Sequence, residues 1–145
     1  MKKRIHISLM ALGLFVALAV VPVHAQFQDS ISVSIPFAFM VGEKTLPAGD
    51  YTLKPANNTG MYSRLLIRSK DGETALIIST GVVQSSAAQK EAKLTFNHYG
   101  DQYFLSQVWT PGTEYGRQLS RSDIEASIAK SGAQKGTVSI TATRR

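Results

Sequence analysis

The stretch Ile31-Ser32-Val33-Ser34-Ile35-Pro36-Phe37-Ala38-Phe39-Met40-Val41 decides the fold, because a bulky apolar side chain recurs at every second position. The positions between them hold serine, proline, alanine and methionine. A period of two is typical of a β-strand with one buried face and one exposed face. Pro36 falls in the outward set and cannot donate a hydrogen bond to a β-ladder, so we expect two short strands here instead of one long strand.

A first β-hairpin is predicted around Asp71-Gly72. If Asp71-Gly72 forms a two-residue turn, Ile67 lies opposite Leu76. Leu65 then lies opposite Ile78, so that four branched aliphatic side chains share one face. This agreement between the turn residues and the apolar pattern predicts a β-hairpin.

A second hairpin is predicted around Gly100-Asp101. One face collects Leu94, Phe96, His98, Tyr103, Leu105, Gln107 and Trp109. The opposite face collects Lys93, Thr95, Asn97, Phe104, Ser106 and Val108. A slip by one residue would mix the two sets, so this register is preferred.

One short helix is predicted near the C-terminus. Ser122 followed by Glu125 forms a capping box, and Ile124 and Ile128 share one helical face. Gly132 supplies a stop, which gives a helix of about nine residues. Two isoleucines are too small a face for an isolated helix, so we expect it to pack on a sheet.

The pattern as a whole predicts one all-β domain over residues 26–145. A final strand alternates Val138, Ile140 and Ala142 with threonine and serine. Several short strands separated by glycine, proline and asparagine turns indicate an antiparallel β-sandwich, with a small β-barrel as the alternative.

Residues 1–25 have the three parts of a secretory signal peptide. Residues 2–4 are basic, Leu9–Val21 is an uncharged apolar run, and Val23-His24-Ala25 precedes the expected cleavage before Gln26. The alternative is an uncleaved membrane anchor, because an apolar run from residue 5 to residue 23 approaches the roughly 20 residues that span a bilayer. Cleavage predicts an exported protein, periplasmic or extracellular, with no membrane span.

Charge and cysteine content exclude several classes of protein. Removing Lys2, Lys3 and Arg4 with the leader takes the basic residues from 16 to 13 against 10 acidic residues, a net charge of +3. This charge is ordinary for a soluble domain and too small for a nucleic-acid partner. The chain has no cysteine, which excludes disulfide bonds and lipid attachment at a cysteine.

Three segments carry a resemblance to a known group. They are Ser34-Ile35-Pro36-Phe37-Ala38-Phe39 with Val41-Gly42, Leu46-Pro47-Ala48-Gly49 with Tyr51-Thr52, and Tyr99-Gly100-Asp101 with Tyr103-Phe104-Leu105. The chain resembles short exported β-rich proteins of unknown function predicted in acidobacterial genomes. The resemblance implies an exported location and carries no catalytic residue, ligand or mechanism.

Catalytic and metal chemistry find little support in the sequence. After loss of the leader His98 is the one remaining histidine, so a histidine-rich metal centre is excluded, and no phosphate-binding loop is present. A Ser-His-Asp triad would need His98 with Asp101 and Ser106 or Ser63, but the predicted register places Ser106 on the opposite face. Asp50, Asp71 and Asp101, like Asp123 and Glu125, are each assigned to a turn or a helix start. We therefore predict no catalytic residues, no metal, no cofactor and no enzyme activity.

Four aromatic residues are the candidate ligand-binding side chains: Tyr99, Tyr103, Trp109 and Tyr115. Flat amphipathic rings on a sheet are suited to holding sugars or partner chains. The competing interpretation is that Trp109 and Tyr103 fill the core together with Phe96 and Leu105.

These observations predict a monomeric exported domain that acts by binding or as a structural element of the cell envelope. The expected partner is an envelope component or a polysaccharide. One alternative is a polysaccharide-binding module that uses aromatic residues of the 99–115 region. Another is assembly by strand addition, since the run Ile31–Val41 offers a β-edge if Pro36 leaves one side open.

Overall fold

The computed structural model describes residues 30–59 and 62–144, so the predicted signal peptide lies outside the described residues. Within these ranges the chain forms ten strands and one helix. The strands are β1 (Ile31–Ile35), β2 (Phe39–Val41), β3 (Lys44–Leu46), β4 (Gly49–Thr59), β5 (Tyr62–Ser69), β6 (Ala75–Gln84), β7 (Ala92–Tyr99), β8 (Gln102–Trp109), β9 (Tyr115–Leu119) and β10 (Lys135–Arg144). The helix α1 spans Asp123–Lys130, between β9 and β10.

Eight strands close into an antiparallel β-barrel. The order around the ring is β8, β7, β10, β1, β4, β5, β6 and β9, and β9 then pairs back with β8. The all-β prediction is therefore confirmed, but the β-sandwich is wrong and the alternative small barrel is correct. A sandwich and a barrel both bury alternate side chains, and only the pairing of β9 with both β6 and β8 separates them.

The break at Pro36 is confirmed, because β1 ends at Ile35 and β2 begins at Phe39. Between them the chain leaves β1 and crosses to β8, where Met40 pairs with Phe104 in a parallel bridge. Phe37 packs inward on this crossing. Its ring stacks on Tyr103 at 4.0 Å between centroids and meets the edge of Phe96 at 5.3 Å. The crossing therefore carries an aromatic side chain into the core.

The predicted hairpin registers are confirmed for the first hairpin and for half of the second. Ile67 lies opposite Leu76 and Leu65 opposite Ile78, as expected. In the second hairpin Phe96 lies opposite Leu105, but a β-bulge follows and Thr95 lies opposite Gln107.

The bulge inverts the faces of the end of β8. Ser106 is the extra residue, since its neighbours Leu105 and Gln107 pair with consecutive residues of β7. Val108, opposite Leu94, consequently points into the core, whereas Gln107 and Trp109 point outward. The prediction that Trp109 and Gln107 share the face of Leu105 is therefore wrong.

The helix begins as predicted but buries a different face. Ser122 is the N-cap, and its Oγ accepts a hydrogen bond from the backbone N–H of Glu125 at 3.1 Å. Ile124 is 39% exposed, whereas Glu125 is only 4% exposed. The helix therefore contacts the barrel through the carboxylate of Glu125, which accepts a hydrogen bond from Asn97 on the outer face of β7.

Candidate binding pocket on the outer face of the barrel

A pocket of about 500 Å³ lies on the outer face of the barrel, where the first turn of α1 meets β7, β8, β9 and β10. We call it the outer pocket. Its lining is mainly polar and includes Thr95, Asn97, Ser106, Gln107, Gln118 and Glu125. Arg121 and Lys135 add two positive charges. The bulge at Ser106 creates this lining, because it turns Gln107 outward beside the side chains of β7 and β9.

Glu125 is the buried charged group of the outer pocket. Its Oε1 accepts a hydrogen bond from Asn97 Nδ2 at 2.8 Å and a longer one from the Tyr99 hydroxyl at 3.5 Å. The Nε of Arg121 lies 3.8 Å from the same oxygen. All three contacts are made to Oε1, and none of the described residues contacts Oε2.

The carboxylate also acts on its neighbour Tyr99. Burial raises the pKa of the Tyr99 hydroxyl, and the negative charge of Glu125 raises it further. The hydroxyl therefore stays protonated and serves as a donor to Glu125. A fixed donor on Oε1 holds the carboxylate in one orientation.

A chain of hydrogen bonds fixes the two glutamines of the pocket. Trp109 Nε1 donates to Gln107 Oε1 at 3.1 Å, and Gln107 Nε2 donates to Gln118 Oε1 at 2.9 Å. Gln118 Nε2 donates to the backbone oxygen of Ser106 at 3.0 Å. Because each amide uses both of its ends, the pattern of donors and acceptors facing the pocket is set before a ligand binds.

The structure brings together two of the four predicted aromatic residues. Tyr99 and Trp109 are both buried on the outer face, and each donates a hydrogen bond to a side chain of the outer pocket. The Trp109 ring packs flat on Gly116, where a Cβ atom would come within 2.6 Å of its Cε3 atom. Lys93 Nζ lies 5.8 Å from the centroid of the same ring. Neither ring is free to act as a stacking platform.

The other two aromatic residues lie elsewhere. Tyr103 packs against the core between Phe37 and His98, at 4.0 Å and 5.5 Å between ring centroids. The interpretation as a core residue therefore holds for Tyr103 and fails for Trp109. Tyr115 is 56% exposed at the first residue of β9 and does not line the outer pocket.

Sequence reasoning missed Asn97, Gln107, Gln118 and Glu125 as candidate site residues. Glu125 was assigned only to the capping box, although its side chain reaches Asn97 of β7. The sequence could have indicated this role only through the contact between the Glu125 carboxylate and the outward side chain of Asn97. That contact could not be predicted from local pattern, because the two residues lie 28 positions apart in the chain. Gln107 was not predicted as a site residue because the regular register placed it on the core face, and the bulge at Ser106 turns it outward.

The residues considered for catalysis do not converge. His98 Nδ1 is buried and has no hydrogen-bond partner among the described residues, so none of the described carboxylates accepts a hydrogen bond from it. Asp71 accepts hydrogen bonds from the Ser69 hydroxyl and the Glu73 N–H, which closes its own turn. In the described part of the chain, no group of three or more potential metal ligands occurs. The absence of enzyme activity stays a prediction.

Two further observations bear on the class of protein. Over residues 30–59 and 62–144, no helix has both the length and the apolar character needed to cross a bilayer. Comparison with protein families, with curated proteins and with solved structures finds no match to this chain. The geometry of the outer pocket is therefore the main guide to function.

Proposed function

We propose that this protein is an exported, non-enzymatic binding protein of the cell envelope whose outer pocket holds a polysaccharide. The observation that carries the proposal is the Glu125 carboxylate, held through Oε1 with no contact to Oε2 from the described residues, in a pocket lined by amides and hydroxyls. A sugar hydroxyl both donates and accepts hydrogen bonds. Oε2 is an acceptor for it, and the half-exposed Arg121 beside it is a donor.

The size and polarity of the outer pocket support a small polar ligand or one unit of a polymer. Its volume of about 500 Å³ falls within the roughly 300–1,000 Å³ of small-molecule sites. Recognition would rest on hydrogen bonds and not on the aromatic platform expected from residues 99–115. Tyr99 and Trp109 act from behind the pocket by orienting Glu125 and Gln107.

Retention on insoluble glycans tests the proposal. The purified protein is mixed with peptidoglycan sacculi, cellulose, chitin and xylan, and the bound fraction is measured. Glu125→Gln keeps the shape of the side chain but turns the free acceptor into a donor, so we expect retention to fall about tenfold on the glycan that binds. Glu91→Gln makes the same charge change at an exposed residue outside the pocket and is the matched control.

A second variant separates the aromatic residues from the pocket. Trp109→Phe keeps a ring on Gly116 and removes the hydrogen bond to Gln107, so we expect weaker retention with an unchanged fold. Equal retention of the protein and of Glu125→Gln, or retention on none of the four glycans, would contradict the proposal. Circular dichroism of each variant establishes that the fold is retained.

Strand addition is a second candidate, favoured by the seam between β1 and β10. β1 pairs along its whole length with β4, but with β10 it pairs only at Ile31–Arg144 and Ser32–Thr143. The part of β10 that begins at Lys135 pairs with β7 on one side and, among the described residues, with no strand on the other. An extended segment of an envelope protein would gain backbone hydrogen bonds there.

The test of strand addition targets that edge. Ser139→Pro removes one backbone N–H of β10 and should abolish capture of a partner, whereas Ser139→Ala should not. Because Ser139 also pairs with Thr95 of β7, circular dichroism of both variants establishes that the barrel is retained. Self-association is measured separately by light scattering over a range of concentrations. A partner that binds both variants equally contradicts addition at β10.

A further inference from the structure

The side chain of Arg117, a residue of β9, faces the interior of the barrel near one of its ends. The residue pairs with Val108 of β8 and with Val82 of β6. Val108 is part of the buried core, and residues directly opposite in a ladder point to the same side of the sheet. Leu119, two residues further along β9, is also buried in the core. The side chain of Arg117 therefore points into the barrel interior.

A polar network receives the Arg117 guanidinium. Its Nη1 donates a hydrogen bond to Ser63 Oγ. Ser63 Oγ lies 2.9 Å from Thr80 Oγ1, and the Thr80 hydroxyl donates to the backbone oxygen of Ser63 at 3.0 Å. Thr80 is almost completely buried. Because a guanidinium has five N–H donors, this single hydrogen bond leaves most of them without an acceptor among the described residues.

The guanidinium also has no acidic partner in the described part of the chain. The two ion pairs found there join Lys70 to Asp50 and Arg121 to Glu125. Burial lowers the pKa of Arg117, and none of the described carboxylates offsets this effect. A partly buried cation is costly without an anion nearby, so the site is suited to an anion supplied from outside.

A cavity of about 160 Å³ adjoins Arg117. Its lining includes Ser63, Val82, Val108 and Tyr115. Val82 is 65% exposed and Tyr115 is 56% exposed, although both are large apolar residues. The site thus combines a cation within the barrel with an exposed apolar rim.

We propose that this mouth of the barrel binds an amphipathic carboxylate, with the acid group accepting hydrogen bonds from the Arg117 guanidinium and the start of an apolar chain along Val82 and Tyr115. A carboxylate matches the planar guanidinium, which can donate two parallel hydrogen bonds to it. The cavity has room for about five water-sized groups, which fits the acid group and the first methylenes but not a full chain. The remainder of the chain lies on the exposed rim.

This site is independent of the proposed polysaccharide site. Arg117 faces the interior, while the adjacent residue Gln118 faces the outer pocket on the other side of the barrel wall. Failure of either proposal therefore leaves the other untouched. Glu125→Gln, which is aimed at the outer pocket, should leave carboxylate binding unchanged.

Isothermal titration with three probes tests the inference. Dodecanoate below its aggregation concentration carries both parts of the ligand, dodecanol carries the chain without the charge, and acetate carries the charge without the chain. We expect dodecanoate to bind at least about tenfold more tightly than either of the others. Equal binding of dodecanol indicates a purely apolar surface, and equal binding of acetate indicates a simple anion site. Either result overturns the proposal.

Matched variants test whether dodecanoate binds at the mouth of the barrel that contains Arg117. Arg117→Gln should weaken dodecanoate about tenfold or more, whereas Arg64→Gln removes the same charge from an exposed position of β5 and should have no effect. Val82→Ser changes an exposed residue, so we expect the fold to be retained. It should weaken dodecanoate but not acetate. Unchanged binding by both Arg117→Gln and Val82→Ser overturns the assignment.

Discussion

The imidazole of His98 lies directly on Gly136, its partner across the ladder between β7 and β10, so that a Cβ atom at residue 136 would stand 2.1 Å from His98 Nε2. Tyr103 confines the ring from its other neighbouring strand, with 5.5 Å between centroids. Only glycine leaves room for this arrangement. The histidine therefore has a packing role at the end of the core.

Gly136→Ala should lower the free energy of unfolding by about 1–3 kcal/mol, because the new methyl group overlaps the His98 ring. Urea unfolding followed by circular dichroism measures the change. Gly81→Ala is the matched control, since its nearest neighbour would be 4.0 Å away. Adding His98→Ala to Gly136→Ala should recover part of the loss, and simple additivity of the two changes would contradict the contact.

Gly116→Ala should also destabilise the barrel by about 1–3 kcal/mol, because its Cβ would meet the face of Trp109 at 2.6 Å. A displaced ring would also lose its hydrogen bond to Gln107. Trp109 is the single tryptophan of the chain, so its fluorescence reports the displacement directly. An unchanged emission maximum together with unchanged stability would contradict this packing.

Helix α1 is held by its N-cap Ser122 and by the contact of Glu125 with β7, and the contribution of each to stability can be measured separately. Ser122→Ala removes the N-cap and should cost about 1 kcal/mol. Glu125→Ala leaves Asn97 Nδ2 and the Tyr99 hydroxyl without an acceptor, and it should cost about 1–3 kcal/mol. Urea unfolding measures both, with the exposed Ser127→Ala as the control. A larger loss for Ser122→Ala than for Glu125→Ala would mean that the helix is held by its cap.

Stability should decline at alkaline pH. Burial and the charge of Glu125 raise the pKa of Tyr99 above its ordinary value of 10.0, so the folded protein keeps this proton after the unfolded chain has lost it. The contribution of Tyr99 to the free energy of unfolding is therefore constant below about pH 10 and falls as the pH rises from there through the raised pKa. Tyr99→Phe should make this decline shallower in unfolding curves recorded from pH 8 to about pH 11. Burial raises the pKa of Tyr51 in the same direction, so part of the decline should remain. An identical slope in Tyr99→Phe and the unchanged protein would exclude this contribution.

Local pattern predicted the strands and turns well. The alternation in Ile31–Val41 and the break at Pro36 follow from side chains adjacent in sequence, as does the register set by Asp71-Gly72. Closure of the barrel depends on β9 pairing with both β6 and β8, which no local period records. A sandwich and a barrel therefore look alike from the sequence.

The candidate site was harder to predict because it depends on one inserted residue. Ser106 carries no glycine or proline signal, yet its bulge moves Gln107 and Trp109 to the outer face. The contact made by Glu125 could not be predicted either, since its partner Asn97 belongs to a strand distant in sequence. Alternation can assign a side chain to a face only while the ladder stays regular.

The ladder between β1 and β10 joins the first strand of the described chain to the last, with Ile31 opposite Arg144. Contacts between such distant segments form late, because a long loop must close before they give any stabilisation. During synthesis, the barrel should therefore stay open until β10 has been made. Ending the chain at residue 134 should accordingly yield a protease-sensitive species, whereas removing residue 145 should not.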